Sequence, residues 1–152
     1  MNTVQSKNLY RIFLLLAIII GFGLIYYTQD DEKETSATAE QKTIDLLTEE
    51  SVVIAYLKEH QKLPDYYINK KEAKQLGWIP SKGNLCEVLP GKAIGGDYFG
   101  NFEGNLPMQK GRKYYEADIN YNCGRRGAER IVFSNDGLIY ITKDHYNSFE
   151  PK

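Results

Sequence analysis

The stretch AERIVFSNDGLIYITK at residues 128–143 decides the fold. Two runs rich in β-branched and aromatic residues, 128–134 and 138–143, flank the tripeptide NDG at 135–137. An Asp-Gly pair between such runs is a strong signal for a hairpin turn. We therefore expect two neighbouring antiparallel strands in this part of the chain.

Two more strands precede this hairpin, and a helix precedes the strands. Residues 93–99 and 113–121 alternate with the period of two that is typical of strands. In the segment after Thr48, apolar residues instead repeat at i and i+4. We expect a helix there that Thr48 caps and that ends before Pro64.

Two shorter helices are expected between the first helix and the sheet. Asn69, followed three residues later by Glu72, resembles a capping box, and Gly77 suits the end of that helix. Residues 84–89 form the third expected helix. Helices followed by strands indicate an α+β fold, with N-terminal helices packed on a C-terminal antiparallel β-sheet.

The strand at 113–121 has one apolar and one polar face. Glu116 and Asp118 share the polar face, and pairing of the later strands brings Arg130 and His145 toward it. Phosphodiester transesterification needs a base, an acid and fixed cations at one place. These residue types on one sheet face make it a candidate active site, although a solvated surface would contain the same types.

The composition excludes several broad classes of protein. The chain has 152 residues, of which 42% are hydrophobic and 26% charged, so one globular domain with an appendage is expected rather than a disordered or collagen-like chain. The formal net charge is -1. A site for a polyanion must therefore be a local patch.

The N-terminus contains an uncharged apolar run, IFLLLAIIIGFGLIYY, at residues 12–27. Basic residues precede this run and acidic residues follow it, which places the bulk of the chain outside the cell. Residues 1–27 are expected to be a signal-anchor that holds the protein in the membrane, and a cleaved signal peptide is the alternative. Residues 28–42 are a flexible polar tether, and residues 43–152 are the folded domain.

Cys86 and Cys123 are the two cysteines of the chain. Outside the cell they are expected to form one disulfide, and two unpaired buried thiols are the alternative. His60 and His145 have no ligand spacing to either cysteine, so no metal site is expected.

A glycine-rich segment at residues 95–104 ends in a carboxylate, Glu103. Its spacing does not match a P-loop or a dinucleotide-binding motif. It suits either a bulged strand end or a loop whose backbone N–H groups and Glu103 recognise the edge of a base.

Long stretches of the domain resemble one family, the microbial guanyl-specific ribonucleases, in their bacterial, barnase-like branch. The resemblance covers about residues 48–152 in order. The matching segments are KLPDYYINKKEAKQLGW at 62–78, SKGNL at 81–85, PGKAIGGDYF at 90–99, EGNLP at 103–107, YYEADINY at 114–121 and DHYNSF at 144–149.

The resemblance implies roles for five residues in the chemistry. Glu116 stands at the position of the general base, and His145 stands at that of the general acid. Lys70, Arg126 and Arg130 stand at phosphate-binding positions. No metal and no cofactor is implied.

The resemblance also implies a base-recognition site. It consists of Glu103, which binds the guanine edge, the loop residues Asn101 and Phe102, and the aromatic Tyr146. Gly100 and Phe102 depart from the barnase-like pattern, which has Ser and Arg there, so one cation near the base is missing.

The implied protein is an extracellular, monomeric endoribonuclease. It would cleave single-stranded RNA 3′ of guanosine through a 2′,3′-cyclic phosphate. Its implied partners are RNA, a small acidic barstar-like inhibitor and, through residues 12–27, the membrane. The alternative is a catalytically silent RNA- or inhibitor-binding module of the same fold.

Overall fold

The computed structural model describes residues 43–152 of the chain. Residues 43–47 are helical. Three further helices follow: α1 (Glu50–His60), α2 (Lys70–Gln75) and α3 (Leu85–Val88). The strands are β1 (Tyr67–Ile68), β2 (Ala93–Phe99), β3 (Tyr114–Asp118), β4 (Arg130–Ser134), β5 (Ile139–Thr142) and β6 (Glu150–Pro151).

The six strands form one mixed sheet in the order β1-β2-β3-β4-β5-β6. The α+β class is confirmed, but the prediction of a purely antiparallel sheet is wrong, because β1 pairs with β2 in parallel. The other neighbouring pairs are antiparallel. The two edge strands have two residues each, and so short a strand shows no alternation that a sequence pattern could reveal.

The predicted hairpin connects β4 and β5. Ser134 donates its backbone N–H to the carbonyl of Leu138 at 2.8 Å, which closes the turn. Gly137 has φ +95°, a left-handed conformation that a residue with a side chain rarely adopts. The NDG signal therefore identified this turn correctly.

The main core lies between α1 and the apolar face of the sheet. Val53 and Leu57 of α1 pack against Ala117 of β3 and Ile131 of β4. The expected apolar face of the 113–121 segment therefore does pack on a helix. Glu116 and Asp118 lie on the other face of β3, as alternation requires.

A disulfide joins α3 to the loop after β3. Cys86 and Cys123 are bonded with their Cα atoms 5.8 Å apart, as predicted, so the alternative of two unpaired thiols is wrong. Both cysteines pack against a second cluster of buried residues, which includes Trp78, Leu85 and Tyr121. The bond therefore links the loop after β3 to α3.

Thr48 is buried and does not cap α1, so this part of the prediction is wrong. Its hydroxyl donates to the carbonyl of Ile44 at 2.8 Å and accepts from the backbone N–H of Tyr121 at 3.0 Å. The first residue of α1, Glu50, donates its N–H to the side chain of Asn120 at 3.1 Å. A residue distant in sequence thus supplies the cap, and Thr48 holds the helical residues 43–47 against the end of β3.

The predicted signal-anchor at residues 1–27 and the tether at 28–42 lie outside the described residues. Within residues 43–152, no helix is both long and apolar enough to cross a membrane. The location of the protein therefore stays a prediction.

Candidate active site

Glu116 lies at the middle of β3 and is almost completely buried, with 5% of the residue exposed. Lys70 Nζ donates to one carboxylate oxygen, Oε1, and the hydroxyl of Tyr146 donates to the other, Oε2. The polar face is therefore covered by other parts of the chain, and Glu116 is not on a solvated surface.

The surroundings of Glu116 favour its ionised form. Burial is the largest single influence and raises the pKa of Glu116, because it penalises the charge. The hydrogen bonds from Lys70 and Tyr146, with the charges of Lys70 and Arg126, outweigh it. The pKa of Glu116 is therefore lowered from its ordinary value, and the group is a carboxylate at neutral pH.

Lys70 is positioned by the start of α2. The side chain of Asn69 accepts the backbone N–H of Glu72 at 2.9 Å, which confirms the predicted cap. Lys70 also donates its backbone N–H to Asp97 at 3.0 Å. Asp97 lies opposite Glu116 in the ladder between β2 and β3, next to an irregularity in the register. The helix start is thus fixed to the strand beside Glu116.

Asp118 holds the two arginines that the sequence singled out. Arg126 donates to both carboxylate oxygens, at 2.7 and 2.6 Å. Nε of Arg130 lies 2.9 Å from Oδ1, but not at an angle that makes a hydrogen bond, so this buried N–H has no acceptor in the described residues. Both guanidinium groups are therefore held beside the one carboxylate of Asp118.

His145 lies in a tight loop after β5 and is exposed. It and Tyr146 both have left-handed backbone conformations, with φ of 56° and 73°. Asp144 organises this loop by accepting hydrogen bonds from Ser148 and Thr142. Bonds from Ser148, with smaller contributions from its other neighbours, lower the pKa of Asp144 to about 2. The imidazole is thus presented to solvent from a firmly bonded loop.

The predicted base-recognition loop is closed by Asn101. Its side-chain amide donates to the carbonyl of Leu106 at 2.9 Å and accepts the N–H of Leu106 at 3.0 Å. The Asn101 side chain is therefore occupied within the loop. Glu103 is exposed and accepts from Asn105 at 3.1 Å, and Phe102 is 97% exposed.

A cavity of about 370 Å³ connects the base loop with Glu116. Phe99 and Tyr146 are stacked with ring centroids 5.3 Å apart, and both line it. A second, more open groove of about 660 Å³ is lined by Arg125, Arg126 and Arg130. His145 lines both cavities, so the two adjoin at this residue.

The structure places the predicted site residues in two adjoining groups. The first cavity is lined by Lys70, Asn101, Phe102, Glu103, Glu116, His145 and Tyr146. The second is lined by Arg126 and Arg130, again with His145. Cys86 and Cys123 line neither cavity. Within residues 43–152, no three His, Cys, Asp or Glu side chains group as metal ligands.

Sequence reasoning placed Asp118 on the polar face without giving it a role, and it did not identify two further residues that support this arrangement. Asp97 holds the start of α2, Asp118 holds the arginines, and Asp144 organises the histidine loop. A signal existed for Asp144, because Asp side chains commonly close turns by accepting hydrogen bonds from the backbone that follows them. For Asp118 the signal was its position two residues from Glu116 on the same face.

Comparison with known proteins identifies the family of this chain. The family described as ribonuclease matches residues 51–151. A ribonuclease from Bacillus pumilus is 45% identical in an alignment covering 95% of this chain and 96% of the relative. One from Bacillus intermedius is 44% identical with the same coverage, and one from Heyndrickxia coagulans is 58% identical over 64% of this chain and 89% of the relative. This chain is an RNA-cleaving enzyme and belongs to the bacterial guanyl-specific ribonuclease family.

Proposed function

We propose that this enzyme is an extracellular endoribonuclease that cleaves single-stranded RNA 3′ of guanosine by metal-free acid–base transesterification. The observation that carries the proposal is the grouping of an ionised, buried Glu116 with Lys70 and an exposed His145 around one cavity. A carboxylate base and an imidazole acid at one phosphate are the groups that this reaction requires.

In the first step, Glu116 takes the proton of the 2′-hydroxyl. Each carboxylate oxygen has two lone pairs, so Glu116 can accept this proton while Lys70 and Tyr146 remain bonded. The 2′-oxygen forms a bond to phosphorus, and the bond from phosphorus to the 5′-oxygen breaks. Protonated His145 gives its proton to that leaving oxygen, which yields a 2′,3′-cyclic phosphate and a free 5′-hydroxyl.

In the second step, water opens the cyclic phosphate and the two residues exchange roles. His145 takes a proton from the water, and protonated Glu116 returns its proton to the 2′-oxygen. The product is a 3′-phosphate. Lys70, Arg126 and Arg130 stabilise the negative charge on the phosphoryl oxygens in both steps through their positive charges.

Guanine recognition is assigned to Glu103 and the backbone of the loop at 101–103. An exposed carboxylate can accept from the N1–H and the exocyclic amine of guanine, whereas adenine has no N1–H to donate. The side chain of Asn101 is engaged with Leu106, so it contributes by fixing the shape of the loop. Tyr146 completes the aromatic wall of the cavity.

The leaving nucleoside is assigned to the second groove. His145 must lie beside the 5′-oxygen that it protonates, and His145 is the residue that lines both cavities. RNA would therefore cross from the base cavity, past His145, into the groove with the three arginines.

Export is supported by the apolar run at residues 12–27 and by the disulfide, which persists in oxidising compartments. A small acidic inhibitor of the barstar type is a further proposal, since a cationic site for phosphates also suits an acidic protein.

The experiment is incubation of the purified protein with GpU, ApU, CpU and UpU in EDTA. We expect rapid cleavage of GpU to guanosine 2′,3′-cyclic phosphate and uridine, with little cleavage of the others. Loss of activity in EDTA would overturn the metal-free mechanism. Binding of RNA without cleavage would favour the silent binding module instead.

A further inference from the structure

Phe102 is the most exposed large apolar side chain among the described residues, at 97%. Large aromatic side chains stabilise a protein mainly by being buried, and this ring is not. It also lies in the wall of the candidate active site, next to Glu103. The proposed function uses the backbone of this residue and gives the ring no role.

The ring does not extend freely from the loop, because it lies against Gly100. A Cβ atom placed on Gly100 would come within 2.2 Å of one ring atom and within 2.7 Å of two others. Any residue other than glycine at this position would displace the ring. Gly100 therefore acts as a seat for Phe102, and the two departures from the barnase-like pattern form one local arrangement.

The position of the ring limits what it can contact on RNA. The leaving nucleoside is assigned to the groove beyond His145, which Phe102 does not line. The guanine is assigned to the cavity whose aromatic wall already contains Phe99 and Tyr146. A ring so exposed is suited to a base outside the cavity, and the nucleotide on the 5′ side of the guanosine is the one that remains.

We propose that Phe102, seated on Gly100, is a stacking platform for the base of the nucleotide immediately 5′ of the cleaved guanosine. This inference rests on the proposed function. Stacking of a base on an aromatic ring is tolerant of base identity, because every base has a flat face. The enzyme therefore gains affinity for a longer RNA without gaining a second sequence requirement.

The test compares three substrates that share one cleaved bond. GpU lacks the 5′ nucleotide, ApGpU has it, and a trinucleotide with an abasic ribose in place of the adenosine has the additional phosphate without the base. We expect ApGpU to show a kcat/KM about five- to a hundredfold above that of the abasic substrate. In Phe102→Ala, this ratio should fall to about one, and the rate on ApGpU should fall by a larger factor than the rate on GpU.

Two further variants separate the platform from general effects. Gly100→Ala keeps the ring but removes its seat, and we expect it to lose most of the preference for ApGpU over the abasic substrate. Met108 is another exposed apolar residue, at 78%, and lines neither cavity. Met108→Ala should leave all three rates unchanged.

Salt dependence is an independent readout. Stacking releases no counterions, so the ratio of ApGpU to abasic rates should not change between 50 and 200 mM salt, whereas phosphate contacts weaken with salt. Equal losses on GpU and ApGpU in Phe102→Ala, or an undiminished ratio, would overturn the inference. Absence of cleavage of all three substrates by the unmutated protein would instead contradict the proposed function.

Discussion

The ammonium group of Lys70 donates directly to Oε1 of Glu116. The Glu116 side chain of this pair is buried, whereas the Lys70 side chain is partly exposed. The lysine therefore does two things at once in the proposed mechanism. It supplies positive charge near the phosphate, and it keeps the base ionised. A change at Lys70 should be visible in the pH dependence as well as in the rate.

Lys70→Ala is expected to move the acid limb of the kcat/KM profile to higher pH. Burial of Glu116 remains in the variant and raises its pKa, while the opposing hydrogen bond and charge are lost. The rate at the optimum should also fall by about ten- to a hundredfold, the usual effect of losing a charged hydrogen bond. Lys71→Ala is the matched control, and an unshifted acid limb in Lys70→Ala would contradict the assignment.

His145→Gln is expected to abolish the alkaline limb of the profile and to reduce kcat by about two to four orders of magnitude. Glutamine cannot give up a proton at neutral pH, so the leaving 5′-oxygen must depart without an acid. His60→Gln removes the other histidine, at the end of α1, and should leave the profile unchanged. Near-normal cleavage of GpU by folded His145→Gln protein would refute the acid assignment.

Glu103→Gln is expected to reduce the preference for guanosine over adenosine by about ten- to a hundredfold. The variant keeps the shape of the side chain but replaces one accepting oxygen with a donor, which cannot pair with the N–H groups of guanine. The measurement is the ratio of kcat/KM for GpU and ApU. Glu87→Gln, in α3, is the control, and an unchanged ratio in Glu103→Gln would show that the base lies elsewhere.

The double variant Cys86→Ser, Cys123→Ser is expected to lose about 4 kcal/mol of unfolding free energy in the chain-entropy model for a separation of 37 residues. Urea unfolding measures this loss. Cleavage of GpU at a temperature where the variant is folded should be nearly unchanged, since neither cysteine lines a cavity. A large loss of activity would show that the bond also positions Arg126.

Thr48→Val is expected to destabilise the protein by about 1–3 kcal/mol, because it leaves the buried N–H of Tyr121 without its acceptor. Ser51→Ala also removes a hydroxyl, but an exposed one, and should cost less than about 0.5 kcal/mol. Thermal unfolding of the two variants makes the comparison. Equal stability of both would contradict the structural role given to Thr48.

Local features of the fold could be predicted from the sequence, and distant ones could not. The turn at 135–137 and the cap at Asn69 depend on residues within a few positions of each other, and both were predicted correctly. Thr48 satisfies the capping pattern equally well, but its partner Tyr121 is 73 residues away. A sequence pattern gives no information about such a partner.

The same distinction holds for the candidate site. The resemblance identified the residues that line the cavities, because it matches positions along the whole domain to those of a family with a known site. It did not reveal why they are held there. The contacts of Asp97 with α2 and of Asp118 with Arg126 depend on the pairing of separate strands and loops.

The order of the strands in the sheet has a consequence for how the enzyme reaches its active state. Each strand pairs with the next strand along the chain, so the whole sheet can assemble by closing one loop after another. Pairing between sequence neighbours lowers the contact order and speeds folding. Glu116 lies on the inner strand β3, whose two neighbouring strands pair with it in this way. The hydrogen bond between Thr48 and Tyr121 instead joins residues that are distant in sequence, and it involves no catalytic atom. The surroundings of the catalytic base therefore form through pairing of sequence neighbours, which is the fast part of assembling this fold.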